Sequence, residues 1–87
     1  MSDIEIQHLG IYSSHKSAEE NYRIGRDRGY GRRRIVQQAL DAANLAEVQA
    51  RRYRKKHEYS TAEAFDRAEK SFRSFQRYAS ERYAEYK

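Results

Sequence analysis

Two stretches of the chain carry apolar residues at alternating three- and four-residue steps, which is the spacing of a heptad seam. The later seam combines aromatic residues with alanines: Phe65, Ala68, Phe72, Phe75, Ala79 and Tyr86. The earlier seam is made mostly of small side chains: Val36, Ala39, Ala43, Ala46, Ala50 and Tyr53. The spacing predicts two helices, over about 32–57 and 61–86.

The two seams complement each other in size if the chain reverses direction between them. Antiparallel pairing then gives four predicted contacts: Ala50 with Ala68, Ala46 with Phe72, Ala43 with Phe75, and Ala39 with Ala79. Large side chains facing small ones in a single register are what two closely packed helices require. The sequence therefore predicts an all-α fold built on an antiparallel helical hairpin.

Capping signals predict where the helices begin. Ser60 with Glu63, and Ser17 with Glu20, each have the spacing of a capping box. The first box predicts that the last helix starts near Thr61. The second predicts a short helix over about 18–28, which the glycines that follow would end. Residues 1–16 are expected to be extended or flexible, and 17–87 to form one small helical domain.

The middle helix carries a second apolar stripe that its seam does not use, formed by Leu45 and Val48 with a flank of Ile35, Leu40 and Ala42. We expect apolar residues of the first thirty to cover this stripe: Ile4, Ile6, Leu9, Ile11, Tyr22 and Ile24. Only 13 of the 87 residues are Leu, Ile, Val or Phe, so the core is small. A homodimer that forms a four-helix bundle is a second way to complete it.

The chain lacks the residues that several classes of protein require. The chain has no cysteine, no basic and apolar leader at its N-terminus, and no apolar run long enough to span a bilayer. We therefore expect a cytoplasmic protein without a membrane partner. Its three histidines show no metal-ligand spacing, and no nucleophile is paired with a base. No catalytic residue, cofactor or metal is predicted, and the chain is interpreted as a non-enzymatic binding module.

The positive charge is concentrated in one segment. Residues 21–56 hold eleven basic and three acidic residues, a net charge of +8, although the whole chain carries only +5. Two clusters contribute most of it. The first, here called the arginine loop, spans 26–34 and contains Arg26, Arg28, Tyr30, Arg32, Arg33 and Arg34. The second, here called the distal cluster, contains Arg51, Arg52, Arg54, Lys55 and Lys56.

The placement of the arginine loop points to an anionic ligand. Cations near a helix C-terminus, as in the distal cluster, are favoured by the helix dipole and need no ligand. Arg32, Arg33 and Arg34 instead begin a helix, where the dipole disfavours positive charge. Guanidinium groups fork onto phosphate oxygens, and Tyr30 could stack on an unpaired base. The first hypothesis is therefore association with the backbone of DNA or RNA through both basic clusters, the arginine loop (26–34) and the distal cluster (51–56).

The alternative is a protein-interaction module, such as a regulator, adaptor or inhibitor that docks on a larger protein. Tyrosine and arginine are enriched at interface hot spots. Tyr78, Tyr83 and Tyr86 crowd the end of a helix whose seam is already filled. A chain this small would suit a regulator encoded by a phage or mobile element. Binding flat on a membrane fits poorly, because the apolar stripes are needed for packing and tryptophan is absent.

Overall fold

The computed structural model describes the backbone of His8–Leu9 and residues 11–82. A short antiparallel β-hairpin, β1 (His8–Leu9) and β2 (Tyr12–Ser13), precedes three helices: α1 (Ala18–Asp27), α2 (Arg32–Lys55) and α3 (Tyr59–Glu81). The long helices α2 and α3 pack closely against each other, and α1 is short. The predicted all-α class and helical hairpin are confirmed.

The register of α2 against α3 is fixed by an aromatic contact. The rings of Tyr53 and Phe65 stack with centroids 5.4 Å apart and planes 12° apart. Their residue numbers add to the same total as those of all four predicted pairs, so this contact sets the predicted register. All eight residues of those pairs are buried in one core cluster. Seam residues of complementary size thus pack as the spacing indicates.

Two ion pairs join the same two helices outside the core. Arg54 pairs with Asp66 near the turn, and Arg73 Nη2 lies 3.1 Å from Glu47 Oε1 nearer the middle of the hairpin. Both pairs are substantially exposed, so each contributes little to the free energy of folding. Their positions agree with the register set by the core.

The turn between the long helices differs from the prediction in one respect. His57 adopts a left-handed conformation, with φ of 63°, which ends α2 within two residues of Lys55. Helix α3 then begins at Tyr59, with Glu58 at its N-cap and no side-chain capping bond. Ser60 consequently lies inside the first turn, so the predicted capping box of Ser60 and Glu63 is wrong.

The predicted start of α1 is confirmed. Ser17 accepts a hydrogen bond from the Glu20 amide at 3.1 Å, and the Glu20 carboxylate accepts one from the Ser17 amide at 2.9 Å. At the other end Gly29 has φ of 85°. The Tyr30 amide donates to the Gly25 carbonyl and the Gly29 amide to the Arg26 carbonyl, which is the Schellman pattern. The left-handed glycine is what this helix end requires.

A close approach of α1 to α2 depends on Gly25. A Cβ atom at this position would lie 2.8 Å from Ile35 side-chain atoms and 2.8 Å from the Tyr12 hydroxyl. Ile35 is fully buried and has little room to move. The absence of a side chain at Gly25 therefore lets α1 and the β-hairpin meet over the start of α2.

Residues 11–16 belong to the segment expected to be extended or flexible, and they pack against the helices, with Tyr12–Ser13 in an extended strand. Tyr12 is 2% exposed, its ring lies 4.9 Å from that of Phe75, and its hydroxyl donates to Gln38. Burial raises the pKa of Tyr12 to about 12, so this hydroxyl keeps its proton. The Ser71 hydroxyl donates to the Ser14 carbonyl at 2.8 Å. Contacts with all three helices hold this segment, and local sequence signals do not indicate them.

The remaining boundary predictions concern the ends of the chain. Helix α3 ends at Glu81, with Arg82 as its C-cap, and the predicted extension to residue 86 lies beyond the described residues. The expected cover over α2 by Ile4 and Ile6 also falls outside them. Of the expected cover, Ile11 and Tyr22 pack in or against the core, and Ile24 is half-buried outside the core cluster; Tyr12, which was not expected there, is part of the core.

Candidate functional site

The arginine loop joins α1 to α2 at one end of the molecule. Arg28 is the C-cap of α1, and Arg32, Arg33 and Arg34 form the first turn of α2. Arg28, Arg33 and Arg34 are exposed. These three arginines form no ion pair with any carboxylate of residues 11–82, whereas Arg26 and Arg32 take part in other side-chain interactions. The fold thus gathers unneutralised guanidinium groups at one helix end.

The N-terminus of α2 lacks the features that usually stabilise a helix start. Its N-cap is Gly31, which provides no side-chain acceptor, and its first turn contains no acidic residue. The first backbone N–H groups of a helix have no partner within the helix and carry partial positive charge. Three arginines add to that positive field. The arrangement therefore favours the binding of an anion at this point.

Tyr30 has a different position from the one expected for a base-stacking residue. The guanidinium carbon of Arg34 lies 4.0 Å from the centroid of the Tyr30 ring. The ring is half-buried and packs against the core beside Ile11 and Tyr12. Arg34 therefore covers one ring face, and this cation–π contact holds its guanidinium in place. Tyr30 acts here as the support for an arginine.

The distal cluster is partly neutralised within the chain. Arg51 Nη2 lies 2.9 Å from Glu47 Oε2, Arg54 pairs with Asp66, and the Lys56 ammonium lies 5.4 Å from the Tyr53 ring centroid. Arg52 and Lys55 are exposed and have no ion pair within the described part of the chain. Helix α2 separates Arg33 from Arg52 by about 30 Å, at 1.5 Å per residue. The two clusters do not form one site.

The tyrosines proposed as a protein interface are only partly described. Tyr78 is half-buried, and its ring meets that of Tyr22 edge-on at 5.9 Å. The Arg82 guanidinium lies 4.0 Å from the Tyr78 ring centroid. Tyr78 thus contributes to the packing of α1 on α3. Tyr83 and Tyr86 lie outside the described residues.

The second apolar stripe of α2 could be predicted from the sequence, but its exposure in the folded chain could not. Leu45 and Val48 of α2 are 44% and 56% exposed. A groove of about 310 Å³ runs beside Leu45, and its walls include Ile11, Tyr30 and Ala42. Ala42 is buried, whereas the stripe is exposed from Leu45 onward. The apolar stripe was predicted to be covered, but none of the described residues covers Leu45 and Val48.

Residues 11–82 contain no group of three or more histidine or acidic side chains placed to hold a metal ion. None of the described helices is both long and apolar enough to cross a membrane.

The chain matches no protein-family model, no curated protein and no solved structure. Function must therefore be inferred from the chemistry of the surface itself.

Proposed function

We propose that this protein is a non-enzymatic module that binds the phosphate backbone of nucleic acid through the arginine loop. The observation that carries the proposal is the exposed group of Arg28, Arg33 and Arg34 at an uncapped helix N-terminus, with Arg34 held against Tyr30. An ordered guanidinium loses less side-chain entropy on binding than a mobile one. Unpaired arginines beside free helix N–H groups match the geometry and charge of phosphate.

The mode of binding follows from the residue types. Arginine and backbone amides contact phosphates and carry no direct base readout. Tyr30 has one face covered by Arg34, so stacking on a base is not part of this proposal. Lys55 of the distal cluster would add a weaker, separate contact along the same strand or duplex. We therefore expect affinity that depends on salt and little on sequence.

The test compares two triple variants that remove the same charge. Arg28→Ala, Arg33→Ala and Arg34→Ala together should weaken binding to a labelled duplex roughly tenfold or more at low salt, because three phosphate contacts are lost. The slope of log affinity against log salt should fall by about 2.7, at about 0.9 per phosphate contact. Fluorescence anisotropy at several salt concentrations measures both quantities, on duplex and single-stranded oligonucleotides.

The control triple variant carries Arg67→Ala, Lys70→Ala and Arg77→Ala on the outer face of α3. These residues are exposed and have no ion pair within the described chain, so the net charge falls equally. Equal weakening by both triple variants would show a diffuse charge effect and no site at the arginine loop. Absence of binding by the wild-type chain at low salt would exclude the proposal altogether.

A single substitution at the helix start separates stability from binding. Gly31→Asp should raise the free energy of unfolding by about 0.5 kcal/mol, because aspartate caps the uncapped α2 N-terminus. The same carboxylate should weaken oligonucleotide binding roughly three- to tenfold, because it repels and replaces the phosphate. Gly31→Asn supplies a similar cap without charge and should stabilise the fold with little loss of affinity. Unchanged binding by the aspartate variant would contradict phosphate binding at this position.

Docking on a larger protein through a tyrosine and arginine surface is the second candidate function. It has less support, because Tyr78 packs against Tyr22 and Arg82 within the fold. It becomes the leading candidate if the wild-type chain fails to bind oligonucleotides.

A further inference from the structure

Helix α2 has a second seam on the side that faces away from α3. Its positions follow one another at alternating four- and three-residue steps: Arg34, Gln38, Asp41, Leu45, Val48, Arg52 and Lys55. The two apolar members, Leu45 and Val48, lie at its centre and are 44% and 56% exposed. An apolar centre between polar ends is the composition of a helix-packing interface with a polar rim.

The charges of this seam indicate what packs on it. Asp41 lies one helical turn before Leu45, and Arg52 lies one turn after Val48. Asp41 accepts a hydrogen bond from Gln37 Nε2 at 2.9 Å but has no ion pair within residues 11–82, and neither has Arg52. Of the two seam residues that directly flank the apolar centre, Asp41 is therefore acidic and Arg52 is basic. A surface with this pattern is complementary to itself when it is turned end to end.

We propose that a second copy of this chain packs on this seam, with the two α2 helices antiparallel. A two-fold axis between Ala46 and Glu47 places Leu45 opposite the partner's Val48, and Asp41 opposite the partner's Arg52. Because such an interface is isologous, each contact occurs twice. A parallel arrangement in register would instead place the two copies of Asp41 opposite each other, and likewise the two copies of Arg52, so like charges would repel on both sides of the apolar centre.

The groove beside Leu45 fits this arrangement. The groove is lined by Asp41 and Leu45 of the seam together with Ile11, Tyr12, Tyr30, Gln38 and Ala42. The partner's Arg52 would lay its aliphatic stem against these apolar atoms and direct its guanidinium to Asp41. The dimer would bury the apolar surface that the β-hairpin leaves exposed, and its formation does not depend on nucleic-acid binding.

Charge reversal tests the interface directly. Sedimentation equilibrium of the full chain should show a monomer–dimer equilibrium with a dissociation constant on the order of micromolar, because two crossing helices bury a small area. Asp41→Arg and Arg52→Asp should each weaken dimerisation at least roughly tenfold, because each places two like-charged pairs in the interface. The double variant, which exchanges the two charges, should restore the affinity of the wild type.

Matched controls reverse charges on α3. Glu63→Arg and Arg67→Asp change the net charge by the same amounts at exposed positions away from the seam, and both should dimerise like the wild type. Circular dichroism of every variant shows that the monomer still folds. A wild type that stays monomeric at millimolar concentration, single variants that dimerise normally, or a double variant that does not recover would each overturn the proposal. Val48→Glu gives an independent check, since it should produce a monomer.

Discussion

Phe72→Ala should lower the free energy of unfolding by about 3–5 kcal/mol, the range observed when a buried phenylalanine is cut back to alanine. Phe72 has no solvent-exposed surface and lies at the centre of the core cluster. Its neighbours across the hairpin are mostly alanines, which are too small to fill the space that is left. Because small domains are stable by only about 0.05–0.15 kcal/mol per residue, the loss is a large fraction of the stability of an 87-residue chain. Urea unfolding followed by circular dichroism measures it.

A compensating substitution makes the same experiment a test of register. The register set by Tyr53 and Phe65 places Ala46 opposite Phe72. Adding Ala46→Phe to Phe72→Ala moves the ring to the other helix at the same level, so part of the lost stability should return. Ala50→Phe is the control, because Ala50 is equally buried but lies one turn away. Equal recovery from both partners would mean that the register has no effect.

Asn21→Leu should lower the free energy of unfolding by about 2–4 kcal/mol, because it removes two hydrogen bonds from buried backbone groups. Asn21 is 1% exposed. Its Oδ1 accepts from the Ser13 amide at 3.1 Å, and its Nδ2 donates to the Ser13 carbonyl at 2.9 Å. The Asn21 side chain thus forms with the backbone of β2 the pair of hydrogen bonds that a neighbouring strand would form. Leucine keeps the branching at Cγ but is larger, so overpacking adds to the effect of the two lost hydrogen bonds.

Hydrogen exchange shows whether the loss of stability in Asn21→Leu arises at the contact between Asn21 and Ser13. The Ser13 amide should be protected in the wild type and should exchange faster in the leucine variant, together with loss of stability in urea. Arg23→Leu is the matched control on α1, because Arg23 is exposed and its ion pair with Glu19 spans 3.7 Å at the surface. Unchanged stability in Asn21→Leu would show that Asn21 does not hold the β-hairpin to α1.

The candidate site could be predicted only in part. Three successive arginines before the seam of α2, with no acidic residue in the same helical turn, indicate an unusual helix start from spacing and charge alone. The role of Tyr30 could not be predicted, because its contact with Arg34 depends on the Schellman turn and on packing against Ile11 and Tyr12. The pairing of Arg54 with Asp66 also required the hairpin, since the two residues are brought together only by the turn.

The sequence by itself determined the two long helices, their register and the start of α1. These features follow from periodicity, side-chain volume and a capping box, which act between residues close in the chain or repeat along it. Only the tertiary structure decided the rest: the β-hairpin held by Asn21, the early start of α3 after His57, and the exposure of Leu45 and Val48. Each depends on contacts between residues distant in sequence or on a backbone conformation that residue type does not dictate. Contacts of this kind join residues that are far apart in the chain, so no local sequence pattern encodes them.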